Sequence, residues 1–269
     1  LYLNSLTGTI PSSLSDLSNL GILDLDTNSL TGPIPSSLSN LSNLNYLYLF
    51  ENSLTGPIPS SLGNLEELVS LNVSSNRLSG TIPAALVNST SLRQIDMSYN
   101  ALEGTLSTNF FNQSEELNTI MLSNNNLGGS FPFDSLLPTI RQLVIGSNKF
   151  TGNINAMEGI ADLGSLTTID ISFNNFGGSF PTRLLLKAPS LTTFVVGFNC
   201  FQGSLDEAIC NSTQLRTFSA PGLTSGESCK QPIWKGSALF HAFPAFTVNY
   251  LDGTVPQCLF GMPNITNVI

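Results

Sequence analysis

The chain has 269 residues, 41% of them apolar, and a formal net charge of -9. That surplus of acid excludes nucleic acid and anionic lipid surfaces as partners. Only 10% of residues are charged, against roughly 25% in ordinary soluble proteins. No stretch approaches the ~18 consecutive apolar residues of a membrane span, so direct membrane insertion is not expected.

In chain order, the first element is a phrase that repeats. "NSLTGTIPSSL" fills residues 4–14, and "NSLTGPIPSSL" fills both 28–38 and 52–62. Alignment on the first Asn gives Asn4, Asn28, Asn52, Asn76, Asn100, Asn125, Asn148, Asn174, Asn199 and Asn249, with steps of 24, 24, 24, 24, 25, 23, 26, 25 and 50. Leu or Phe stands two positions after every one of them and Gly four positions after; Pro stands seven positions after in seven of the ten. A strict period of this kind builds an array by stacking, not around one centre.

Upstream of each Asn runs L-x-x-L-x-L, as in "LNYLYL" (44–49) and "LVSLNV" (68–73). The alternation in its second half predicts a strand with one buried face. One such strand cannot hide its leucines alone, so neighbouring coils must stack. A buried amide without partners costs roughly 2–7 kcal/mol. The column Asn28, Asn52, Asn76, Asn100, Asn125, Asn148, Asn174, Asn199 and Asn249 is therefore expected to form a ladder, each side chain bonding backbone of its own and the adjacent coil. Gly supplies the tight turn that follows, and "IPSSL" a proline-started helical turn on the outer side.

The pattern L-x-x-L-x-L-x-x-N-x-L-x-G-x-I-P resembles the plant-type class of leucine-rich repeat proteins. That class includes ectodomains of receptor-like kinases and receptor-like proteins, and secreted inhibitors of wall-degrading glycosidases. The resemblance implies an α/β repeat fold: a right-handed solenoid with a parallel β-sheet on the concave face and short 3-10 or helical turns on the convex face. About eleven coils at about 4.8 Å each give an inner sheet on the order of 50 Å long.

The repeat fails in two places. Two residues expected between Leu3 and Asn4 are absent and the chain stops at "MPNITNVI", so it reads as an internal piece of a longer protein. The step of 50 after Asn199 implies one degenerate coil. The expected organisation is repeats over 1–226, a Cys- and aromatic-bearing segment over 227–248, and a final partial repeat over 249–269. That segment holds Trp234, His241, Phe240, Phe243 and Phe246. Two readings of it stand: a disulfide-pinned variant coil whose aromatics replace lost leucines, or an island that helps build a ligand site. Cys200, Cys210, Cys229 and Cys258 are disulfide candidates, and their three pairings cannot be separated by sequence. No C-x2-C pair occurs, so no metal site is expected.

Sequons mark Asn40, Asn88, Asn112, Asn211 and Asn264 as glycosylation candidates; a sixth at Asn72 would sit on the strand's exposed face, where a glycan would block part of the concave surface. With an even cysteine count and low charge, they point to an extracellular or cell-surface location, the full-length protein being membrane-anchored if it is a receptor.

In x-L-x-L-x-x-N the x residues are expected to face solvent and to carry recognition. The candidate ligand-binding set is Asp24, Asp26, Tyr46, Tyr48, Phe50, Glu51, Gln94, Asp96 and Tyr99. Tyr46, Tyr48 and Phe50 alternate along one strand and should present three rings on one face, where exposed aromatics mark a covered surface. Asp24 and Asp26 lie one strand away. The combination suits a protein or peptide with apolar and basic side chains, or a carbohydrate stacked on the rings, with a co-receptor as a further partner. The competing reading is that the rings only stabilise the sheet.

No cofactor is implied. H-E-x-x-H, G-x-S-x-G and phosphate-binding loops are absent, and the single His leaves no Ser-His pair, so no enzyme is expected. Asp24 and Asp26, on an open surface, should titrate ordinarily. The function expected is extracellular recognition, as part of a receptor-like ectodomain; the alternatives are a secreted glycosidase inhibitor and an adhesion or matrix element.

Overall fold

The computed structural model describes residues 1–205, 207–220, 250–252 and 256–268. Among them the chain winds into stacked coils that carry two ten-stranded parallel sheets, each ordered as the chain is ordered. The sheet on the concave face begins with Ile22–Asp24, Tyr46–Tyr48 and Ser70–Asn72 and ends at Asn267–Val268. Its register is uniform: Leu47 is the Cα partner of Leu23 on one side and Leu71 on the other.

The core is the repeated leucine. Leu44, Leu47 and Leu49 are fully buried, while Tyr46 and Tyr48 between them stand half-buried on the other face. Each buried Leu contributes roughly 1.5–3 kcal/mol, and each coil supplies several. The residue two after each ladder Asn is Leu in the first units (Leu30, Leu54, Leu78, Leu102, Leu127) and Phe later (Phe150, Phe176, Phe201), all buried. The larger rings then meet: Phe131 lies edge-on to Phe150 at 5.2 Å, and Phe150 stacks on Phe176 at 6.4 Å. Such pairs add to area burial alone.

Asn52 shows how coils are joined. Its Nδ2 donates to the carbonyls of Leu49 and Phe50 in its own coil and of Leu25 in the coil before, while its Oδ1 accepts the amide of Leu30 at 2.9 Å. The same set recurs at Asn76, Asn100, Asn125, Asn148 and Asn174. Asn249 and the segment 227–248 lie outside the described residues.

Two features exceed the sequence reading. Residues expected only to turn, such as Ser29–Gly32 and Ser53–Gly56, are strands of the second sheet. The residue before each ladder Asn is left-handed without being Gly: Thr27, Glu51, Ser75, Tyr99, Asn124, Ser147, Phe173 and Phe198 all have φ between 50 and 57. That conformation costs an L-residue about 1–2 kcal/mol. It persists because the amides of this column from Thr27 to Phe173 still pair across the stack, as Glu51 N–H does to the carbonyl of Ser74 at 3.0 Å.

On the outer side, Pro35 with φ -65 precedes the 3-10 turn Ser36–Asn40, and Pro59 and Pro83 do the same for their coils. One turn is α-helical instead, Thr182–Lys187. Among the described residues no helix is long and apolar enough to cross a membrane.

Candidate functional site

The uniform register turns the variable residues of the concave sheet into columns. Ile22, Tyr46, Ser70, Gln94 and Thr119 form the first; Asp24, Tyr48, Asn72, Asp96 and Met121 form the second. The candidate residues on Ile22–Asp24, Tyr46–Tyr48 and Gln94–Asp96 thus fall within four consecutive strands, a width of roughly 14 Å at the usual strand spacing. The rings of Tyr46 and Tyr48 lie 6.0 Å apart, tilted at 51°. Phe50 is half-buried and Glu51 exposed. Tyr99 is 62% exposed, more than any other large apolar side chain described beyond the first three residues.

The acidic residues behave differently from expectation. Asp26 does not project to solvent; it is 6% exposed. Its column, two before the ladder Asn, turns under as the chain leaves the strand, and Ser74, Ser98, Ser123 and Ser172 in the same column are also buried. Asp26 Oδ2 instead accepts from Thr27 Oγ1 at 2.8 Å, and the same hydroxyl reaches Glu51 Oε2 at 3.2 Å. Nor does Asp24 titrate ordinarily. Burial pushes its carboxyl above the usual carboxylate range, and the neighbouring Asp26 pushes it further.

Half of Asp24 and Asp96 serves the fold. Each accepts the backbone N–H two residues on with Oδ1, Asp24 from Asp26 at 3.3 Å and Asp96 from Ser98 at 3.0 Å. Asn72 and Asp170 do the same in their coils. This is an Asx-type bond that ends the strand. It fixes these side chains in direction. The sequence signal was present, as Asp or Asn recurring in one column, but it reads equally well as surface variation.

Elsewhere, Phe173 and Phe198 stack on each other at 4.4 Å and 19°. Asn40, Asn88, Asn112, Asn211 and Asn264 are all exposed. Asn40, Asn88 and Asn211 end 3-10 turns on the outer side, away from the concave columns. Cys210 is disulfide-bonded to Cys258. Cys200 is also in a disulfide, and Cys229 lies outside the described residues.

The family model described as Leucine Rich Repeat matches residues 19–41, 43–65, 67–89 and 165–185. Among solved structures, the chain is similar to the plant peptide hormone receptor RGFR1 in complex with RGF2, at 27% identity and a TM-score of 0.79, covering 99% of this chain and 38% of that one. It is similar to a TDR receptor at 29% identity and a TM-score of 0.81, covering 98% of this chain and 41% of that one. A plant ice-binding protein is similar at 27% identity and a TM-score of 0.78, covering 96% of this chain and 74% of that one. The chain thus spans about two fifths of the length of the two receptors. No curated protein sequence matches it.

Proposed function

Because the chain is a leucine-rich repeat protein of the plant type, we propose that its concave sheet recognises an extracellular peptide or protein segment, within the ectodomain of a receptor-like protein or receptor-like kinase. The observation that carries this reading is the pairing of Tyr48 with Asp24 across adjacent strands, beside Tyr46. Two half-exposed rings next to an oriented carboxylate offer an apolar contact and an anionic one within a few ångströms. A peptide with an apolar side chain next to a Lys or Arg satisfies both, and Tyr is the residue type that most often anchors such contacts. Asp96 and Tyr99 lie further along the same face and extend the contact for a peptide lying across the strands. The sequons at Asn40, Asn88 and Asn211 end outer turns, away from this face.

The likeness to a plant peptide hormone receptor in complex with RGF2 agrees with this reading, though only part of that receptor's length is represented. The likeness to an ice-binding protein directs attention to flat rows of hydroxyls. The second sheet aligns Thr9, Thr31 and Ser53 in register, but Thr55 pairs with Arg77 and Ser79 with Ala101, so the row of hydroxyls stops there. A lattice-matched surface requires that row to continue, so recognition on the concave face is the better-supported function. An inhibitor or matrix role would use the same face.

The test is selection from a random peptide library on the purified chain. Peptides pairing a basic with an apolar side chain should be enriched and should lose about 100-fold in affinity for a Tyr46→Ser, Tyr48→Ser double variant, in line with two truncated aromatic hot spots. No enrichment, or equal affinity for the variant, would overturn the assignment.

A further inference from the structure

A cleft of about 380 Å³ lies away from the concave sheet, between the turn Ile154–Gly159, the helix Thr182–Lys187 and the strand Cys200–Ser204. It forms where the repeat fails. Seven positions after the ladder Asn, the flanking units have Pro132 and Pro181, but Asn148 is followed there by Asn155. Without the proline the turn begins differently: Asn153 Oδ1 accepts the amide of Asn155 at 3.0 Å. The freed Asn155 side chain reaches across to the next coil, where its Nδ2 donates to Ser179 Oγ at 2.9 Å. Its Oδ1 is buried and has no hydrogen-bond partner.

The remaining walls are polar and unevenly charged. Arg183 is exposed and forms no ion pair among the described residues. Glu158 faces the same cleft half-buried, and Lys187 Nζ donates to its backbone carbonyl, bringing a second cation alongside. Two cations beside one carboxylate make a locally positive spot on a chain whose net charge is -9.

We propose that this cleft binds a polyhydroxylated ligand carrying one carboxylate, the chemistry of a sugar acid. The Arg183 guanidinium matches a carboxylate through paired N–H bonds. Glu158, the Gln202 amide and the Ser179 hydroxyl accept from or donate to ring hydroxyls, which do both. A hydroxyl that parts the side chains over Asn155 finds an unused acceptor there. An apolar ligand would leave all of these groups desolvated and unpaired. The volume lies at the small end of ligand pockets, room for one or two sugar rings. The site is independent of the concave sheet.

Saturation-transfer NMR on the purified chain with glucuronate, glucose and acetate tests this. Glucuronate should bind, with glucose and acetate each weaker by about tenfold or more, the scale of a lost charge-assisted pair. Arg183→Gln, at an exposed position, should remove the preference for glucuronate. Asn155→Leu should weaken binding several-fold, with thermal unfolding showing that the coil is intact. The Tyr46→Ser, Tyr48→Ser variant should bind glucuronate as the wild type does, which separates this site from the concave one. Absence of glucuronate binding, equal binding of glucose, or indifference to Arg183→Gln would each overturn the proposal.

Discussion

Asn174 Oδ1 accepts the backbone amide of Phe150, 24 residues earlier in the chain, at 2.9 Å. Its Nδ2 donates to the carbonyls of Ile145, Ile171 and Ser172, and the side chain is 2% exposed. Asn174→Ala strips the buried amide of Phe150 of its partner and takes one of two donors from the carbonyl of Ile145, which keeps Asn148 Nδ2 at 3.2 Å. At about 1–3 kcal/mol for the orphaned amide, the loss should be about 2 kcal/mol. Asn4→Ala, where an exposed amide bonds only the carbonyls of Leu1 and Tyr2, should change stability by less than about 0.5 kcal/mol. Urea unfolding of the two variants checks the contrast. Equal shifts would remove the ladder from the account of stability.

Asp24 makes stability depend on pH in a stated direction. Its folded carboxyl holds its proton to higher pH than the unfolded one, because it is partly buried beside Asp26. In the window just above the ordinary carboxylate range, the folded chain therefore binds more protons than the unfolded chain. Stability from this group is present at low pH and is lost as pH rises through that window. Asp24→Asn keeps the acceptor for the Asp26 amide, as Asn72 does in the same column. It should be more stable than wild type at neutral pH and show a flatter pH profile. A steeper profile in chemical unfolding would contradict the assignment.

Gly63 is a contact point between outer turns. A Cβ there would meet the backbone oxygen of Ala85 at 2.3 Å and its carbonyl carbon at 2.5 Å. Backbone cannot swing aside, so Gly63→Ala should destabilise by about 1–3 kcal/mol, the usual cost of overpacking. Gly159→Ala meets nothing within 4 Å and should be neutral or stabilise by up to about 1 kcal/mol through the unfolded state. Thermal melts of the pair separate the two cases.

The Cys210–Cys258 disulfide spans 48 residues of sequence. Closing a loop of that length is worth about 4 kcal/mol on the chain-entropy model. Cys210→Ser with Cys258→Ser should loosen the last coils and leave the first ones unchanged, since each coil touches only its neighbours. Hydrogen exchange should rise across 256–268 and stay constant across 22–80. Uniform loss of protection would mean that the coils unfold as one unit.

The leucine and asparagine columns were legible because each residue type there has one physical use. Leu47 must be hidden, and Asn52 must pair with backbone; nothing else explains their recurrence. The second sheet was not legible, since "SLTG" is short and ends in Gly, which reads as a turn. Nor was the left-handed column: of its eight residues only Asn124 belongs to a type that accepts that conformation readily, and a Phe or Tyr gives no hint of it. Asp26 was misplaced for a related reason. Strict alternation puts it outside, but the chain begins to turn two residues before Asn28. Asn155 was visible as a missing proline, yet only coordinates show that its side chain crosses to Ser179 and opens a cleft.

Each ladder amide serves the turn laid down before it: Asn52 takes the N–H of Leu30, Asn76 that of Leu54, and Asn100 that of Leu78. The stack therefore has polarity, like a row of cups rather than a row of coins. Two arrays can prolong one another only head to tail, in the heterologous manner that grows filaments; reversed, they would set like against like and leave the facing groups unmatched.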